Sequence, residues 1–182
     1  LSEDGIQIHY AVTNPDTKPM YYQLGAHPGF NCPLHSGERF EDYVLEFEQE
    51  GTAGYHSYDL NRMEFNMNSY TPILDHAAVI PLTHELFAND AIFFTDLRSK
   101  KVALKNQATG YGVEVSYPDF ATVAFWTAAA TKAPFLCVEP WNGSAIRSDE
   151  DDNFLNRHFL QKLEGGESKG YRVEIKKISQ QL

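Results

Sequence analysis

Apolar residues recur at every second position in four stretches of this chain. Ile6, Ile8, Tyr10 and Val12 alternate with Gln7, His9 and Ala11, and Asn14-Pro15-Asp16 then supplies a turn. Tyr43, Leu45 and Phe47 alternate with Asp42, Val44, Glu46 and Glu48; Tyr111, Val113, Val115 and Tyr117 alternate with Gly112, Glu114 and Ser116. Near the end, Tyr171, Val173 and Ile175 alternate with Arg172, Glu174 and Lys176. A period of two is the mark of strands with one face buried. Shorter apolar runs at 91–95, 101–104 and 122–126 predict further strands. Residues 81–88 and 153–163 each predict at most a turn or two of helix, too short to cover a sheet. Strands in succession with polar turns between them predict an all-β fold, an antiparallel sandwich or barrel-like assembly. No internal repeat or linker divides residues 1–182, and the length suits one domain with a sizeable core.

Charge narrows the partners. The formal net charge is -10 and the sequence pI is near 5.1. Nucleic-acid binding needs a cationic footprint, and an anionic membrane surface repels the same charge, so neither is expected. Lys and Arg are scattered, which leaves a neutral small molecule as the best-fitting partner. An aromatic share of 13% suits both a β-rich core and a cleft whose rings stack on sugar faces. Cys32 and Cys137 are the only cysteines, too few for a disulfide framework, and predict a reduced, cytoplasmic protein. No apolar run approaches the ~20 residues of a membrane span. The chain begins with Leu1, which suggests a piece of a longer protein.

Two short stretches concentrate the candidate chemistry. In 134–141, Phe135, Cys137 and Glu139 share one face of a predicted strand, and Pro140, having no N–H, is expected to end it. Glu139 then lies beside Trp141 in apolar company, where burial raises a carboxyl pKa and makes a better base near neutral pH. The alternative is a turn glutamate that accepts backbone hydrogen bonds. His27 lies in Gly25-Ala26-His27-Pro28-Gly29, where Pro28 holds it extended and the glycines permit unusual backbone angles or close approach. A positioned His donates a proton near neutral pH; the alternative is a loop His bonded to a carbonyl.

Other arrangements offer less. Seven histidines include no His-Glu-x-x-His and no His-x-His pair, so no metal site is expected. No phosphate loop, dinucleotide glycine pattern or Gly-x-Ser-x-Gly elbow is present. An apolar strand disfavours the thiolate of Cys137 and argues against a nucleophilic role. The cluster Asp149-Glu150-Asp151-Asp152 reads as a solvated loop without the spacing of a calcium loop, and Gly165-Gly166 reads as a turn.

Four elements together resemble the aldose 1-epimerase (galactose mutarotase-like) family, in particular its bacterial lactose-operon-associated branch. They are Gly-Ala-His-Pro-Gly-Phe at 25–30, Leu-Phe-Ala-Asn-Asp-Ala at 86–91, Ala-Phe-Trp-Thr at 124–127 and Val-Glu-Pro-Trp at 138–141. Their order and separations fit the C-terminal two-thirds of the family. The resemblance implies a large antiparallel β-sandwich, here without its N-terminal strands, and interconversion of the α- and β-anomers of a free hexose such as galactose or glucose. It implies Glu139 as the base on the anomeric hydroxyl and His27 as the acid at the ring oxygen, with no metal or organic cofactor. Asp90 corresponds to an acid that binds sugar hydroxyls, and Trp141, by position, packs against the sugar or supports Glu139. A homodimer is a further possibility, as are a sugar-binding module without turnover and a hexose-phosphate substrate. Family members carry further sugar-contacting Arg and His residues in N-terminal strands that nothing here supplies.

Overall fold

The computed structural model describes residues 5–179, which fold into fourteen strands and four short 3-10 turns. In chain order the strands are β1 (Gly5–Thr13), β2 (Met20–Tyr22), β3 (Leu24–Gly25), β4 (Gly29–Asn31), β5 (Tyr43–Asp59), β6 (Glu64–Phe65) and β7 (Thr71–Pro81). There follow β8 (Ile92–Phe94), β9 (Lys101–Asn106), β10 (Gly112–Ser116), β11 (Thr122–Trp126), β12 (Phe135–Asn142), β13 (Gln161–Leu163) and β14 (Ser168–Ile178). All the ladders between them are antiparallel. Twelve strands form one curled sheet in the order β1-β14-β10-β9-β5-β8-β11-β12-β3, with β4 on β12 and both β6 and β7 on β5; β13 and β2 pair separately.

The 17-residue β5 makes the curl. Its first half pairs with β9 from Tyr43 to Phe47, while His56 and Ser57 pair with β8. Between these, its register against β7 shifts three times, and such irregularities bend a strand. The two halves of the sheet therefore face each other across one core. Leu45, Val102, Leu104, Val115 and Val173 come from one half, and Ile92, Phe94, Val123, Phe125, Leu136 and Val138 from the other. Phe47 ties the halves together, its ring 6.5 Å from Phe94 and 6.1 Å from Phe125. Tyr43 and Leu45 are fully buried, as alternation predicts, whereas β1 is an edge strand and leaves Ile6 44% exposed.

One expectation is narrowed and two are corrected. Residues 153–163 form no helix beyond the turn Phe154–Asn156: Arg157 is already extended, Phe159 has φ +59°, and Gln161–Leu163 pairs with β2. Their apolar residues do not make one buried face, since Phe154 and Leu155 stay exposed while Leu163 is buried. The acidic cluster is more than a solvated loop. Glu150 is buried at its side chain, accepts from the Arg147 and His158 backbone N–H groups and faces Arg157, while Asp149 grips Arg147 through two hydrogen bonds. Strand β12 does not end at Pro140 but runs through it to Asn142. The expected helical turn in 81–88 is present as the 3-10 turn His84–Phe87, capped by the Thr83 hydroxyl accepting from Leu86 N–H. No helix among the described residues is long and apolar enough to cross a membrane.

Candidate active site

Why Pro140 is tolerated explains how His27 and Glu139 meet. Gly25 pairs with Trp141 and Gly29 with Cys137 in one unbroken register, so His27 stands directly opposite Glu139. The Ala26 N–H donates to the Pro140 carbonyl and the Val138 N–H to the Pro28 carbonyl, each at 3.0 Å. The return bond is missing in both pairs because Pro28 and Pro140 have no N–H. His27 and Glu139 thus form the pair between two singly bonded ones. In an antiparallel ladder, that unbonded position brings side chains closest together. Pro140 is tolerated inside the strand because its ring nitrogen faces the edge segment 25–29, where the missing donor costs a single bond of an edge pairing.

The glycines beside His27 are explained by room rather than by backbone angle, since neither Gly25 nor Gly29 has a positive φ. A Cβ on Gly25 would come within 2.4 Å of Trp141 Cδ1, and one on Gly29 would meet Cys137 Sγ at 3.4 Å. Gly25, His27 and Gly29 face Trp141, Glu139 and Cys137 in three successive unbonded pairs. Only the central pair carries two large polar side chains.

The row extends across the sheet. Glu139 is paired with Ala124 of β11, Ala124 with Phe93 of β8, and Phe93 with His56 of β5. This face lies opposite the main core and carries its own aromatic cluster. Phe65 stacks on Phe93 with ring centroids 4.6 Å apart, and Trp141 lies 5.8 Å from Phe93. A cleft of about 260 Å³ opens over it, lined by His27, Tyr58, Asp90, Trp126, Glu139 and Trp141 among others. All four residues singled out from the sequence therefore line one cavity. Tyr58, Met63 and Trp126 line it too and were not anticipated. Trp126 was legible in principle: alternation places it on the Ala124 face, and its pairing with Cys137 carries it to the site. Tyr58 and Met63 belong to the hairpin joining β5 to β6 and carry no recognisable motif.

Glu139 is the most perturbed group of the cleft. Its side chain is 4% exposed, whereas that of His27 is 59% exposed. Burial first, and the nearby Asp90 carboxylate second, push its carboxyl up to about 8. His27 Nε2 lies 3.2 Å from Glu139 Oε1, yet Oε1 has no hydrogen-bond partner among the described residues, so the contact is close but poorly aligned. The His27 ring meets Trp126 edge-on at 6.1 Å. Asp90 follows the turn His84–Phe87 with φ +76°, its N–H donating to the Phe87 carbonyl. Few non-glycine residues adopt that conformation, and Asp is among those that tolerate it. Burial pushes the Cys137 thiol up to about 11, in line with the reading that it is no nucleophile. His56, at the far end of the row, is buried with Nδ1 unpartnered, and burial lowers its pKa.

Comparison with known proteins gives the chain its family. The family model "Aldose 1-epimerase" matches residues 1–152. The chromosomal and plasmid forms of Protein LacX from Lactococcus lactis subsp. lactis are each 36% identical over 156 residues, spanning 85% of this chain and 52% of the relative. A galactose mutarotase related enzyme from Lactobacillus acidophilus superposes with a TM-score of 0.88 at 25% identity, over 99% of this chain and 59% of that one. A galactose mutarotase-like protein from Lactobacillus casei gives 0.81 at 25% identity, over 97% and 60%. The chain thus spans about half the length of the curated relatives that it matches. It belongs to the aldose 1-epimerase family, alongside the LacX proteins of the lactose-operon-associated branch.

Proposed function

We propose that the protein to which this chain belongs is an aldose 1-epimerase that interconverts the anomers of a free neutral hexose such as galactose or glucose. The observation that carries this reading is the facing of His27 and Glu139 across an unbonded strand pair, at the floor of a cleft with Trp126 and Trp141 in its walls. Anomer exchange needs a base at the anomeric hydroxyl and an acid at the ring oxygen, two oxygens bonded to the same carbon. One close pair of side chains is suited to serve both.

In the forward step the Glu139 carboxylate takes the proton of the C1 hydroxyl as the C1–ring oxygen bond breaks. Protonated His27 delivers its proton to the departing ring oxygen, leaving an open-chain aldehyde. After rotation about the C1–C2 bond the same ring oxygen attacks the other face of the aldehyde. His27 recovers its proton from that oxygen and Glu139 returns one to the new C1 hydroxyl, so no net proton is gained or lost. Asp90 accepts hydrogen bonds from sugar hydroxyls, and Trp141 offers an apolar face to the ring. Burial of Glu139 keeps its charge poorly solvated, which strengthens it as a base once ionised.

The cleft favours a neutral sugar over a phosphorylated one. Its charged lining is Asp90 and Glu139, with no Lys or Arg among the described residues there, and a phosphate would meet like charge. Polarimetry of freshly dissolved α-D-galactose and α-D-glucose tests the proposal. Acceleration that is lost in Glu139→Gln supports it. Saturable sugar binding without acceleration by the complete protein would instead mark a binding module.

A further inference from the structure

The face that positions His27 and Glu139 also places a third donor beside them. Cys137 precedes Glu139 by two residues and so points to the same side of β12, where it stands opposite Gly29. His27 Nε2 or Nδ1, Cys137 Sγ and a Glu139 carboxylate oxygen all lie within 4.8 Å of one another. One of these contacts, 3.2 Å between Nε2 and Oε1, is about the ligand-to-ligand spacing of a tetrahedral zinc site. Glu139 Oε1 is buried and has no hydrogen-bond partner among the described residues. One nitrogen, one sulfur and one oxygen donor are a set that suits zinc and its close relatives rather than magnesium or calcium, which prefer all-oxygen shells. Three protein ligands leave a fourth position open toward the cleft.

We propose that His27, Cys137 and Glu139 form a binding site for a thiophilic divalent cation of the zinc type, and that occupancy by the ion shuts down the sugar chemistry. On binding, the Cys137 thiol and the Glu139 carboxyl each give up their proton to solvent, and metal–sulfur and metal–oxygen bonds form in their place. The lone pairs of His27 and Glu139 that would handle protons are then tied to the metal. The metal site stands on its own geometry; its inhibitory consequence rests on the proposed mutarotase reading. Cys137 takes no part in that proposed proton exchange, so removing it separates metal sensitivity from basal turnover.

Cobalt(II) titration of the complete, chelator-treated protein tests the site without reference to activity. We expect one equivalent to give the intense visible bands of a four-coordinate ion together with a near-ultraviolet thiolate-to-cobalt band, both bleached by zinc. In Cys137→Ser the ultraviolet band is lost and the affinity falls by at least about tenfold. His27→Ala, at an exposed side chain, weakens binding similarly and serves if the serine variant fails to fold. A six-coordinate cobalt spectrum, or identical spectra in wild type and both variants, would overturn the site. Polarimetry on the complete protein then tests the consequence. Zinc should slow wild-type exchange reversibly, with chelator restoring it, and leave Cys137→Ser at its own basal rate. Acceleration by zinc would overturn the inhibitory role. If no rate were measurable with or without chelator, the mutarotase reading would fail while the cobalt spectra still decided the metal site.

Discussion

The strands β8, β11 and β12 present two faces built on opposite terms. On one, Phe94, Val123, Phe125, Leu136 and Val138 are almost wholly buried and merge into the main core. On the other, only one residue away along each strand, Phe93, Ala124 and Glu139 lie in a row that ends at His27. The first face is apolar and closely packed. The second holds buried polar atoms without partners, at Glu139 and at His56. A buried polar group without a partner costs about 1–3 kcal/mol, a cost that a packed core does not carry. Alternation of side chains thus puts stability and the candidate chemistry back to back on the same backbone, so each is open to separate attack.

The largest separation is expected from Glu139→Gln. Anomer exchange should fall by about 10²–10⁴, the usual contribution of a positioned acid or base, while far-UV circular dichroism stays unchanged. Full retention of rate would remove the second face from the proposed chemistry. Phe125→Ala attacks the other face and should cost about 3–5 kcal/mol in urea unfolding, through lost burial and the cavity left behind. A cost below about 1 kcal/mol would mean that the core does not depend on this ring.

A pH series sharpens the contrast. A carboxyl raised from 4.5 to about 8 on folding stays protonated in the native state while the unfolded chain ionises. Its effect on wild-type stability is therefore favourable below pH 4.5 and is lost as the pH rises toward 8. With chelator present, Glu139→Gln should become more stable than wild type across that window, by about 2 kcal/mol or more at pH 8, with a ceiling of about 5 kcal/mol. Equal melting temperatures at pH 5 and pH 8.5 would show that Glu139 is not held protonated. The smallest effect is expected from Gly25→Ala, whose methyl has to displace the Trp141 indole at a cost of about 1–3 kcal/mol. A shifted tryptophan emission should accompany it, and an unchanged spectrum would count against the close approach.

Much of this contrast was legible in the chain. Burial of Tyr43, Leu45, Val115 and Val173 follows from their alternation, and the short runs at 101–104 and 122–126 are the strands expected. The motifs around His27 and Glu139 marked two residues that face each other in one cleft. Their juxtaposition was not legible, because a ladder joining segments more than a hundred residues apart leaves no periodic trace. Nor was the hairpin carrying Tyr58 and Met63: Tyr58 follows His56 by two on β5, beyond the alternating stretch 42–48, and Met63 enters from the turn and obeys no period. The strand end expected at Pro140 does not occur because its ring nitrogen faces the edge segment, where the missing donor costs one bond, while the pairing with β11 continues through it. The helical turn expected in 153–163 is confined to Phe154–Asn156, because the apolar residues there make no single buried face.

The prolines on either side of the His27–Glu139 pair have one more consequence. Suppose β12 slid by one residue against the segment that carries His27. Pro140 would then move to a different pairing partner, His27 would face Val138 or Pro140 instead of Glu139, and the imidazole and carboxylate would point to opposite sides of the sheet. Trp141 would also leave the gap that Gly25 provides for it. The two rings without N–H groups thereby act as alignment pins: they give up two hydrogen bonds of the ladder, and the segment is left with one alignment in which its bonds, its glycines and its facing pair all agree.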